Sequence, residues 1–256
     1  MRFSKWHALG NAYLVVEQPD AGPLDPGRVG RLCDVDTGIG SDGVLEIVRH
    51  DHGSAEVVIW NPDGSIAEMS GNGVRIAGCW LAARTGAGQV EIVSAGRTAR
   101  VRPLGGVLAE TDMGSVEVGE EEEEVVHAGE AVTLTRASVG NPHAVVRLDG
   151  ATRDDLLRLG PRLESHELFP ERTNVQLVEP EGAHDLRVLV WERGAGETTS
   201  SGSSSVAAAA VSVARGWCES PVTVHLPGGA LSVSLDNGHA TLIGPAVEVA
   251  TGATDI

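Results

Sequence analysis

The sequence predicts an α/β (α+β) chain of two pseudo-symmetric halves, each a mostly antiparallel sheet or barrel wrapped around a central apolar helix. Three observations predict it. A Ser-Gly pair opens an apolar helix twice, at Ser70-Gly71 and Ser201-Gly202, 131 residues apart, and the tryptophans Trp60 and Trp191 of the preceding strands keep that spacing. Both helical segments are apolar nearly all round (Val74, Ile76, Ala77, Cys79, Trp80, Leu81; Val206 to Val211, Val213), which suits a buried helix rather than a surface one. Between them, short alternating apolar runs are bounded by Gly, Pro, Asn and Asp, as strands are.

Each half opens with a strand and a Gly-Asn turn, Gly10-Asn11 before Val15-Val16 and Gly140-Asn141 before Val145-Val146. Pro26 to Cys33 and Thr152 to Leu159 follow as extra helices. Strands are expected at Glu56 to Trp60, Gln89 to Ser94, Thr98 to Pro103, Leu186 to Trp191, Val222 to Leu226 and Ala230 to Leu235, with the main helices at Gly73 to Arg84 and Ser203 to Arg215. The expected division is 1–120 and 121–256, with the last strand free to cross back to the first half. The run Glu120 to Glu124 reads as a solvated turn near that boundary.

A length of 256 residues with 41% apolar composition buries a sizeable core. The formal charge of −17 argues against nucleic acid and anionic membrane, which both call for a cationic footprint. No run of eighteen apolar residues is present and the N-terminal pattern is strand-like, so a soluble cytoplasmic protein is expected. Cys33, Cys79 and Cys218 have no CxxC spacing and an odd count, which argues against a disulfide framework or zinc cluster; Cys33 and Cys79 read as buried small hydrophobes. No metal and no cofactor are expected.

Gly38-Ile39-Gly40-Ser41-Asp42-Gly43 matches the dinucleotide fingerprint in letters, yet Val44 to Val48 continues as a strand where a helix would have to begin. A turn presenting Asp42 is the better use of these glycines. His50-Asp51-His52 reads as a hairpin turn, not a metal cluster. The stretch Gly194 to Ser205 has linker composition, but the apolar helix directly after it makes it a capped helix start instead. Two such starts facing one cleft would clamp an amino-acid carboxylate with backbone N–H groups and the positive ends of the helix dipoles. Glu192-Arg193 at the end of a strand is either a surface ion pair or a ligand grip, and His143, in the second Gly-Asn turn, is either structural or catalytic.

The chain resembles the diaminopimelate epimerase family over nearly its whole length. The likeness lies in Lys5-Trp6-His7-Ala8-Leu9-Gly10-Asn11, Gly38 to Gly43, Asn61-Pro62-Asp63-Gly64-Ser65, Met69 to Arg75, Gly140-Asn141-Pro142-His143, Pro170 to Asn174 and Trp191 to Thr198. The resemblance implies a cofactor-independent epimerase that moves the α-proton of an amino acid between two bases in a cleft between its halves. Asn11, Asn61, Asn141 and Asn174 would hold substrate, Glu192 and Arg193 would grip its distal end, and Gly71-Asn72 with Gly202-Ser203 would donate to the α-carboxylate. His143 and Glu192 would assist at the reacting carbon.

The departure falls on the bases: Ser70 and Ser201 stand where the family has cysteines. A serine hydroxyl is roughly five units less acidic than a thiol, or about 7 kcal/mol at about 1.36 kcal/mol per unit, while a helix dipole supplies only about 0.3–2 kcal/mol. Three readings stay open: an epimerase whose cysteines have been replaced and whose turnover is impaired; a natural cysteine-less relative with isomerase or elimination chemistry on another amino acid; and a non-catalytic amino-acid-binding protein. The drift of the usual Cys-Gly-Thr-Gly to Ser201-Gly202-Ser203-Ser204 favours the second over deliberate replacement. The expected partners are a small-molecule amino-acid substrate and, as an option the sequence leaves open, a second copy of the chain.

Overall fold

The computed structural model describes residues 1–67, 70–127 and 130–256. Met69, the first residue of one of the resembling motifs, lies outside the described residues. The chain divides into two compact units, Met1–Asp112 with Ile243–Ile256, and Met113–Leu242.

The first unit runs β1 (Arg2–Ala8), β2 (Asn11–Glu17), the single turn α1 (Gln18–Ala21), α2 (Pro26–Cys33), β3 (Val44–His50), β4 (Ser54–Trp60), α3 (Gly71–Thr85), β5 (Val90–Ser94), β6 (Arg97–Gly105) and β7 (Leu108–Ser115). The second runs β8 (Glu117–Val118), β9 (Glu123–His127), β10 (Glu130–Ser138), β11 (Pro142–Arg147), α4 (Arg153–Glu164), β12 (Asn174–Pro180), β13 (Asp185–Glu192), β14 (Gly196–Thr198), α5 (Gly202–Ala214), β15 (Val222–Leu226), β16 (Gly229–Asp236) and β17 (His239–Pro245). The final strand β18 (Val247–Ala253) pairs antiparallel with β1 and so returns to the first unit.

Pairing repeats step for step. In the first unit β1/β2 is antiparallel, β2/β3 parallel, β3/β4 antiparallel, β4/β5 parallel and β5/β6 antiparallel. In the second, β10/β11, β11/β12, β12/β13, β13/β15 and β15/β16 follow the same alternation. Two parallel pairs per unit explain why the strands next to them are less cleanly alternating than antiparallel strands. Along β2, Tyr13 and Val15 join the core around α3, while Leu14 and Val16 join the core around α2.

The central helices owe their burial to composition. α3 packs against every strand from β1 to β6, and α5 against β10 to β13, β15 and β16. Every residue of α5 from Gly202 to Ser212 is buried, which only a run of alanine, valine and small polar residues allows at that density. α2 and α4 cover the other sheet faces with Val29, Leu32 and Cys33, and with Leu156, Leu159 and Leu163.

The expected helix at 26–33 forms as such, with Asp25 as its cap, whereas α4 runs on to Glu164. Gly160-Pro161 does not end it: Gly160 lies against Trp191, where a Cβ would come within 2.6 Å of the ring, so packing carries the helix through. The acidic run is divided, Glu120 to Glu122 in an exposed connection and Glu123-Glu124 opening β9. Cys33 is buried as expected; Cys79 is only partly so.

Gly78 shows how tight the α3 core is, because a Cβ there would sit 2.4 Å from Val101 Cβ. In an open helix Gly→Ala gains about 1 kcal/mol. Gly78→Ala is expected to reverse that sign and lose about 1–3 kcal/mol through overpacking, read as a lower midpoint of urea unfolding.

Candidate active site

In the first unit the site is built where β2 and α3 begin. Ser70 is the N-cap of α3: its backbone is extended, and its Oγ accepts from Gly73 N–H at 3.0 Å. The same Oγ lies 3.0 Å from the phenol oxygen of Tyr13, a residue that the sequence reading did not single out. Behind them runs a polar chain in which Arg75 Nη2 donates to Asn72 Oδ1 at 2.8 Å and Asn72 Nδ2 donates to Asn11 Oδ1 at 3.2 Å. Arg75 is fully buried, its Nε donates to Pro245 O, and its Nη1 has no partner among the described residues. Burial pulls its pKa down to about 10, so it remains a cation at neutral pH. Asp42 fixes the other side of the turn, exchanging hydrogen bonds with the backbone of Ala12 at 2.7 and 2.8 Å. Asn61 stands at the end of β4 with its amide on Ser65 Oγ at 2.9 Å.

In the second unit Ser201 is the N-cap of α5, also extended, but its side chain makes no capping bond. Gly202 and Ser203 open the first turn and both are buried. Gln176 ties that turn to the strands: its Nε2 donates to Ser204 Oγ at 3.0 Å and lies 3.1 Å from His143 Nδ1. His143 Nε2 in turn meets Asn141 Oδ1 at 3.0 Å. Burial first, and the charge of Arg193 second, lower the His143 pKa to about 3. A neutral ring with both nitrogens engaged is a polar prop, not a ready base at neutral pH.

Asn174 is spent on the protein. Its Nδ2 donates to Pro142 O at 2.9 Å and its Oδ1 accepts from Arg193 N at 3.0 Å, so it staples the start of β11 to the turn after Glu192. That turn closes through Ala195 N to Glu192 O, and Arg193 Nη1 reaches Glu171 O at 3.2 Å. Glu164, also missed in the sequence, sets it from below: one oxygen accepts the Trp191 indole at 2.7 Å, the other accepts Gly194 N at 2.9 Å and Arg172 at 3.2 Å. Its only sequence signal was a carboxylate at the end of an amphipathic helix.

Register makes the two units comparable residue by residue. Val44 pairs with Trp60 and Val175 with Trp191, so Leu45 matches Gln176 and Glu46 matches Leu177. Tyr13 and His143 match at the second residue after the turn asparagine, and Gly73 matches Ser204 three residues after each serine. A polar set of His143, Gln176 and Ser204 thus replaces Tyr13, Leu45 and Gly73. The Trp60 indole is accepted by Glu46 from β3 at 2.8 Å, where Trp191 uses Glu164 from α4.

Among the described residues no group of His, Cys, Asp or Glu could hold a metal ion. His50 closes β3 against Glu17, and Asp51 caps the hairpin turn through Gly53 and Ser54 N–H. The chain after Gly38 to Gly43 is strand β3, so the dinucleotide fold is not built. No described helix is long and apolar enough to cross a membrane.

The family model described as diaminopimelate epimerase matches residues 3–134 and again 135–255. Among curated relatives, a diaminopimelate epimerase 2 of Nostoc sp. is 36% identical over 98% of this chain and 95% of its own length. A diaminopimelate epimerase of Moorella thermoacetica is 36% identical over 98% of both. Solved structures share the fold: a predicted epimerase of Pseudomonas aeruginosa has a TM-score of 0.76 at 16% identity, covering 100% of this chain and 99% of its own. A hydroxyproline epimerase of Agrobacterium vitis has a TM-score of 0.73 at 15% identity, covering 98% and 91%.

Two outcomes follow from the polar props. The folded state holds His143 neutral down to about pH 3, while the unfolded chain takes up a proton below about 6.5, so the stabilisation is whole above 6.5 and is lost as pH falls toward 3. Between those limits His143→Gln should flatten the dependence of unfolding free energy on pH by about 1.4 kcal/mol per pH unit. Glu164→Ala, which removes the acceptor of the Trp191 indole as well as of Gly194 N–H and Arg172, should cost about 1–3 kcal/mol in urea unfolding.

Proposed function

As a member of the diaminopimelate epimerase family, the chain, we propose, inverts the α-carbon of diaminopimelate, LL to meso, by cofactor-free two-base proton transfer in cytoplasmic lysine and peptidoglycan-precursor synthesis. The observation that carries this reading is the repeated helix start: each unit ends a tryptophan strand and then places a serine at the N-cap position of a buried apolar helix.

Ser70 and Ser201 take the two base positions. The backbone N–H groups of Gly71-Asn72 and Gly202-Ser203 receive the α-carboxylate, since the first turn of a helix offers unpaired donors and a positive dipole end. Asn11, Asn61 and Asn141 supply amides to the substrate, and Asn174 acts by holding the Arg193 backbone. The guanidinium of Arg193 and the carboxylate of Glu192 take the distal carboxylate and ammonium, which are of opposite charge to them. His143 orients Asn141 and, through Gln176, the first turn of α5. The acidity gap between serine and cysteine then sets the rate, about 7 kcal/mol per base before any assistance.

The test is α-deuterium uptake from heavy water by each diaminopimelate stereoisomer. Slow exchange is expected with the natural chain, and Ser70→Cys with Ser201→Cys should accelerate it by orders of magnitude. Saturable binding of diaminopimelate without exchange in either form would overturn the epimerase reading and leave a binding protein.

A further inference from the structure

Resting on the reading that Ser70 handles the α-proton, we propose that Tyr13 is the positioning residue through which Ser70 works, taking the serine's hydroxyl proton as Ser70 takes the proton of the substrate.

The geometry singles out this pair. Tyr13 Oη and Ser70 Oγ are 3.0 Å apart, and Gly73 N–H already donates to Oγ. Either oxygen of the pair can donate, so the Ser70 hydroxyl, already accepting from Gly73, is placed to pass its own hydrogen to the phenol oxygen. The ring is held in place: Tyr13 is 6% exposed, Trp6 lies opposite it on β1, and Gly43 has no room for a Cβ, which would fall 2.7 Å from Tyr13 Cε1. Leu45 stands where the other unit has Gln176. There the matching ring, His143, is bonded to Gln176 and Asn141, and Ser201 makes no capping bond. The support is thus built in one unit only.

The step balances without a further reactant. Tyr13 loses a proton to water; the phenolate oxygen then takes the Ser70 hydroxyl proton while Ser70 Oγ takes the α-proton. An O–H bond forms at Tyr13, the O–H bond at Ser70 is renewed, the α C–H bond breaks and its electron pair stays on carbon beside the carboxylate. Phenols as a class are more acidic than the serine hydroxyl by about three orders of magnitude, so a phenolate is the more accessible of the two anions.

The experiment measures heavy-water exchange of each stereoisomer separately. Tyr13→Phe should slow exchange of one isomer by about 10²-fold or more, with KM little changed, and leave the other isomer, worked by Ser201, within a few-fold. Adding Ser70→Cys to Tyr13→Phe should restore the lost exchange, since a thiol needs no phenolate. Equal loss for both isomers without that rescue, or no loss at all, overturns the proposal. Tyr13 is the only tyrosine of the sequence, so its near-ultraviolet phenolate absorbance reports the contact itself. Ser70→Ala should displace that titration and Ser201→Ala should not; an unmoved titration in Ser70→Ala overturns the proposal even where both isomers exchange. If the natural chain and the double cysteine variant exchange neither isomer, the epimerase reading fails and this one with it.

Discussion

A helix that is apolar on all sides has to be enclosed, and its polar ends then have few places to go. That constraint organises both units. α3 and α5 are sheathed by strands along their length, so their unpaired first-turn N–H groups must emerge where strands end and turns begin. The same places hold the Gly-Asn turns, the ends of the tryptophan strands and the serines. Burial of the helix thus decides where polar chemistry concentrates, and the side chains that gather there, Asn72 with Arg75 in one unit and Gln176 with Ser204 in the other, satisfy one another as much as they await a ligand.

The two units solve the same packing problem with different polarity. Around α3, Leu45 and Gly73 stand at the matching positions, and the Tyr13 phenol lies 3.0 Å from the serine. Around α5, Gln176 and Ser204 form a hydrogen-bonded pair that ties up the histidine. Serines that are equivalent in sequence are therefore unequal in surroundings, one bonded to a phenol and a backbone N–H, the other uncapped.

Much of the fold was legible because its signals are local or repeated. The spacing of 131 between the serines predicted two copies of one unit, and Asp25 before Pro26 marked α2. Elements whose extent depends on distant contacts were less legible: α4 continues through Pro161 because Gly160 meets Trp191. At the site, the motif residues stood out, and their supports did not. Gln176 sits among valines and leucine as one polar letter in a strand, and Tyr13 reads as an aromatic core residue until the 3.0 Å contact is seen. Pairings across 57 residues or 27 residues leave no periodic trace in the chain.

The tryptophan indoles differ in their partners. Trp60 leans on a carboxylate from a strand, and Trp191 on one from a helix, while the strand position equivalent to Glu46 is Leu177. Transplanting α2 in place of α4 would leave an indole without an acceptor; the reverse exchange would crowd two buried carboxylates around one ring, where like charges oppose joint ionisation. With the acceptor on a strand in one unit and on a helix in the other, neither outer helix is interchangeable with its counterpart.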